Sequence, residues 1–103
     1  MPSRFAVALV QLAVGPDVGE NLRHAASLVE EAGRGGADVV CLPELFRSQY
    51  FCQKEDVACF DLAEPLPGPS TQTFSAIARR SNLVVVVPVF ERRGPGLYHN
   101  SLA

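Results

Sequence analysis

The stretch A-D-V-V-C-L-P-E-L-F, residues 37–46, decides how this chain is read. Val39, Val40, Cys41 and Leu42 form an apolar run between a charge at Asp38 and Pro43, which predicts a buried strand over Asp38–Leu42. Pro43 has no N–H and cannot extend a ladder. Glu44 stands directly after it, followed by two apolar residues, Leu45 and Phe46. A charged group placed where a buried strand stops calls for a physical reason.

Upstream, Phe5–Gln11 (F-A-V-A-L-V-Q) reads as another buried strand, and A-V-G-P-D as a turn. Asp17, with Glu20 three residues on, gives a capping-box-like helix start. Leu22, Ala25, Ala26, Val29 and Ala32 then recur at helical spacing, and Gly33, Gly35 and Gly36 close the helix. Downstream, Pro43–Pro69 shows no clear period, with Phe46, Tyr50, Phe51 and Phe60 among charges and a P-L-P-G-P close. A segment of that length is functional or carries short elements of its own. Ser70–Asn82 predicts a second amphipathic helix, with Phe74, Ile77 and Ala78 on one face. Leu83–Phe90 is continuously apolar, as a strand covered on both faces would be. Residues 91–96, E-R-R-G-P-G, read as a turn, and Leu97–Ala103 begins a further strand.

Alternation of strands and helices in this order predicts an α/β layer with at least one parallel pair. So few elements bury little for their size, and L-Y-H-N-S-L-A reaches Ala103 without a turn or polar tail. The expectation is that residues 1–103 are the N-terminal part of a single, longer domain.

The 103 residues are 48% hydrophobic and 19% charged, material for one small globular domain. A net charge of -2, with scattered arginines and one lysine, Lys54, gives no expectation of a nucleic-acid or membrane partner. Arg79-Arg80 and Arg92-Arg93 read as solvated surface. M-P-S-R-F-A-V-A-L-V has an early charge, but its apolar run is too short for a secretory signal and lacks a cleavage-type end. A cytoplasmic location is the expectation. Cys41, Cys52 and Cys59 are odd in number and contain no C-x-x-C, which fits a reducing compartment better than a disulfide framework. His24 and His99 lie too far from them in sequence to suggest zinc.

The residues alone nominate few sites. G-R-G-G, 33–36, follows a helix and precedes a strand, the reverse of a phosphate loop, so a helix cap is the better reading. A cysteine nucleophile needs a base or positive neighbour. Cys41 reads as a strand core residue, and Cys52 and Cys59 as packing among loop aromatics. His99 could act as a base, but no partner can be named, and a structural role is favoured. Glu44 is different. Ligands and catalysis gather at the carboxyl ends of strands in open α/β sheets. With Leu45 and Phe46 shielding one side, Glu44 could serve as a general base. A glutamate that caps a helix or meets an arginine explains it equally well.

The ordered set A-V-A-L-V-Q-L-A, A-D-V-V-C-L-P-E-L-F, P-G-P-S-T and V-V-V-P-V-F-E-R before L-Y-H-N-S-L-A resembles the nitrilase (carbon–nitrogen hydrolase) superfamily over essentially the whole chain. F-R-S-Q-Y-F-C-Q-K-E-D and F-D-L-A-E-P-L-P-G-P-S resemble its N-carbamoylputrescine amidase branch, with Tyr50–Gln53 the most telling part. The resemblance implies the N-terminal portion of an αββα sandwich. It implies hydrolysis of a non-peptide C–N bond by a Glu-Lys-Cys site, with no metal and no cofactor. The expected partners are a small-molecule substrate and, for the full-length protein, further copies in a homo-oligomer. By position the family's general base maps onto Glu44. Lys54 and the three cysteines precede the places of the family's lysine and cysteine, so none of them inherits those roles. Other carbamoyl or amide substrates stay open, as does a non-catalytic truncated binding or assembly module.

Overall fold

The computed structural model describes residues 4–103. Met1–Ser3, the head of the stretch read for a secretory signal, lie outside the described residues. Strands β1 (Val7–Leu9), β2 (Val39–Cys41) and β3 (Val84–Val86) form a parallel sheet in that order. Helix α1 (Val18–Arg34) links the first two, and α2 (Pro69–Ser81) precedes the third. Strands β4 (Pro88–Gly94) and β5 (Leu97–Leu102) form a separate antiparallel hairpin. The expected parallel α/β layer is therefore present.

Local chemistry sets the helix limits. Asp17 is the N-cap of α1, and its Oδ1 accepts from Glu20 N–H at 3.0 Å. Gly35 caps the C-terminus, and Gly36 follows at φ +93°, where a side chain would be strained. The glycines of G-R-G-G thus end a helix, as the sequence indicates. Pro69 opens α2 at the position where a missing N–H costs nothing, and Asn82 closes it in the left-handed region.

Pairing puts Val7, Val39 and Val84 in one row, Ala8, Val40 and Val85 in the next, and Leu9, Cys41 and Val86 in the third. Successive residues of a strand face opposite sides, so the middle row faces one way and the outer rows the other. Both helices lie on the side of Val40, which is fully buried with Ala25 and Val29 of α1 and Phe74 and Ile77 of α2. Phe46 meets Phe74 edge-to-face, with centroids 5.6 Å apart. On the opposite side Val7 is 54% exposed, Leu9 78% and Val84 60%. The buried strand expected at Phe5–Gln11 and the two-sided cover expected at Leu83–Phe90 are both corrected here. Among the described residues, helices cover only one face of the sheet.

Leu83–Phe90 is also two strands rather than one. In the ladder between β2 and β3, Val84 N–H donates to Asp38 C=O at 2.9 Å and Leu42 N–H to Val86 C=O at 3.1 Å. The next bond in that alternation would run from residue 88 to the carbonyl of Leu42. Residue 88 is proline and has no N–H to give. From Val87 onward the chain pairs with β5 instead, Val87 and Ala103 exchanging both backbone bonds at 2.9 Å. The expected turn over 91–96 shrinks to Pro95–Gly96, with Gly96 at φ +71°, because Glu91 and Arg92 pair with His99 and Tyr98. The irregular segment 43–69 carries a 3₁₀ helix at Val57–Leu62. Among the described residues, no helix is long and apolar enough to cross a membrane.

Phe74 is 1% exposed and joins both helices to the sheet. Phe74→Ala should destabilise the folded protein by about 3–5 kcal/mol, read as a lower urea midpoint with unchanged slope.

Candidate active site

Glu44 stands at the carboxyl end of β2, past the proline that stops the strand. Leu45 then adopts φ +52°, a left-handed conformation that costs a branched residue roughly 1–2 kcal/mol. The kink divides the segment. Leu45 and Phe46 are 6% and 2% exposed, while Glu44 is exposed. The expected shielding of Glu44 is corrected accordingly, since its apolar neighbours turn into the core and leave it facing water.

One side chain holds Glu44. Asn100 Nδ2 on β5 donates to Glu44 Oε1 at 2.7 Å across 56 residues. With Pro88, Ser101 and Leu102 the two line a shallow groove of about 360 Å³. A carboxylate open to a groove, with one oxygen held, can accept a proton from a group brought to the other. Among the described residues it neither caps a helix nor meets an arginine, the two structural roles that the sequence left open for it.

The other nominated residues do not join it. Cys41 is half-buried on the uncovered face of the sheet rather than in the core. Cys59 is half-buried. Cys52 is exposed, so the packing expected of it is not found, because its loop lies at the surface. Among the described residues no cysteine hydrogen-bonds to Glu44. His99 is exposed and stands 4.0 Å from Glu91, too far for a hydrogen bond. Arg79, Arg80, Arg92 and Arg93 are exposed, as the sequence indicates, and Arg80 pairs with Glu30. No three His, Cys, Asp or Glu side chains converge on a metal position among the described residues.

Two polar clusters brace the loops around Glu44. Asn21 on α1 is 4% exposed. It exchanges bonds with the Gly15 backbone at 2.8 and 2.9 Å and donates to Arg47 C=O at 3.0 Å. Glu64 is also 4% exposed. It accepts from Ser70 N–H and Oγ at 2.8 Å and from Arg47 Nη1 at 2.7 Å, and so places its charge at the start of α2. Its backbone bonds to Phe90 and Arg92 of β4 at 3.0 and 2.8 Å. Sequence reading missed both residues. A lone acid within L-A-E-P-L, five residues before the start of α2, was the available signal for Glu64.

Phe51, Phe60, Phe90 and Tyr98 form a ring cluster with centroids 4.4–6.2 Å apart, joining the long loop to the hairpin. Beside it lies a cleft of about 390 Å³ edged by Cys52, Lys54, Glu55 and Asp56. Tyr50 is exposed. Its phenol is pushed above the ordinary value first by Cys52, through hydrogen bonding and charge, and then by the charge of Glu44. Cys52→Ala should therefore lower the pH at which Tyr50 ionises, measured by phenolate absorbance.

Residues 6–103 match the family described as carbon-nitrogen hydrolase. The chain is 38% identical over 100 residues to omega-amidase NIT2 of Mus musculus, covering 96% of this chain and 34% of that protein. It is 36% identical over 102 residues to N-carbamoylputrescine amidase of Oryza sativa, covering 98% and 34%. Identity to a citrullinase of Francisella tularensis is 36%, covering 98% and 35%. The fold superposes on a carbon-nitrogen hydrolase from Helicobacter pylori with a TM-score of 0.86 at 34% identity, over 95% of this chain and 34% of that one. The expected fold class is borne out. The chain spans about a third of the length of the proteins it matches.

Proposed function

Because the chain belongs to the carbon–nitrogen hydrolase family, we propose that it supplies the general base, Glu44, of an amidase acting on a carbamoyl amine, N-carbamoylputrescine. The observation that carries the reading is the Glu44 carboxylate at the end of β2, open to a groove and held through one oxygen. The likeness to the rice N-carbamoylputrescine amidase across 98% of the chain supports the substrate class.

In this reading the cysteine and lysine lie in the part of the relatives that this chain does not span. Glu44 takes the thiol proton, and the thiolate attacks the ureido carbonyl, forming a C–S bond. Lysine steadies the oxyanion. Ammonia leaves with the proton that Glu44 held. Water, deprotonated by Glu44 in turn, cleaves the thioester-like intermediate, and the carbamate released divides into putrescine and carbon dioxide. Water is the one co-reactant, and no metal or cofactor enters. The enzyme would be cytoplasmic and homo-oligomeric, without nucleic-acid or membrane partners.

Glu55 and Asp56 outnumber Lys54 beside three phenylalanine rings, so the cleft suits a cationic amine better than a carboxylate. A second reading comes from the likeness to the omega-amidase and the citrullinase, whose names point to other substrates. Ammonia release from N-carbamoylputrescine and from citrulline by the full-length gene product separates the two, and a preference for citrulline would overturn the first. Glu44→Gln should lower kcat by about 100-fold or more without loss of folding, and an undiminished kcat would place the base elsewhere.

A further inference from the structure

We infer that Asn100 is a positioning residue for Glu44, a role that rests on the reading of Glu44 as general base. An exposed glutamate in water samples many rotamers, and few of them point a given oxygen at a given thiol. The bond from Asn100 Nδ2 to Oε1, at 2.7 Å, restrains the carboxylate. It occupies one oxygen and leaves Oε2, which has no hydrogen-bond donor among the described residues, to take the proton.

The residue type suits the task. An amide neither gains nor loses a proton near neutral pH, so Asn100 holds the carboxylate without competing for the proton in transfer. Lysine or arginine there would form an ion pair and weaken Glu44 as a base. Asn100 is itself held. Its cross-strand partner is Phe90, a member of the ring cluster. The neighbouring Ser101 Oγ donates to Glu91 Oε1 at 2.8 Å, which ties the next position to β4.

The test uses the full-length gene product with Asn100→Ala, Asn100→Asp and Glu44→Gln, following kcat, KM and thermal unfolding. Asn100→Ala should lower kcat roughly 10- to 100-fold and leave KM and the melting temperature unchanged, because the carboxylate is misaimed while substrate contacts persist. Asn100→Asp keeps the shape but sets an acceptor against the carboxylate, and should fall below Asn100→Ala. If Asn100→Ala fails to fold, Asn100→Asp decides alone. A loss of more than about 10-fold at the parental melting temperature supports the role. Parental kcat in either folded variant, or a loss confined to KM, overturns it. Parental kcat in Glu44→Gln would instead overturn the general-base reading.

Discussion

The architecture turns on a hydrogen bond that Pro88 cannot make. The parallel ladder between β2 and β3 reaches Leu42 and Val86, and the next donor it calls for is the missing N–H of residue 88. The chain has to find another partner, and finds it in β5. One imino acid thus converts an apolar run into two strands of different sheets. It also brings the hairpin to the carboxyl end of β2, where Pro43 has already ended the strand. The contact between Asn100 and Glu44 is a geometric result of these two prolines.

The surroundings are fixed by buried polar groups rather than by apolar mass alone. Glu64 binds the start of α2, the Arg47 guanidinium and, through its backbone, β4. Asn21 ties the loop after β1 to the loop after β2. Buried charged pairs add little net stability against an apolar replacement, but breaking one is expensive. Arg47 shows the tension, because its Nε is buried without a partner among the described residues. What these groups supply is register, holding three loops in one arrangement around a water-facing carboxylate.

Much of this was legible in the sequence, and the exceptions share a cause. Both helices, the cap at Asp17, the glycine stop, the second strand and the strand-end position of Glu44 follow from local pattern and backbone chemistry. The misread elements depend on what lies across from a residue. Val7 and Leu9 have the composition of core residues, but composition does not say whether a second layer covers them. Leu83–Phe90 is uniformly apolar, and only the ladder to β2 shows where it divides. Asn100 and Glu44 are separated by 56 residues, and no short-range signal marks such a pair. Leu45 carries positive φ without being glycine, so its kink has no compositional sign either.

The joint between sheet and hairpin has a consequence for motion. Only Val87 separates β3 from β4. Pro88 locks its own φ and confines the residue before it to extended conformations, and β-branched Val87 adds stiffness of its own. The residue that breaks the ladder therefore also removes the hinge. Rotation at the joint between sheet and hairpin is thereby restricted, with Asn100 beside Glu44. In the reading of Glu44 as a general base, the entropy of ordering the carboxylate is lost once, on folding, instead of at every encounter with substrate. The site is preorganised by its connectivity.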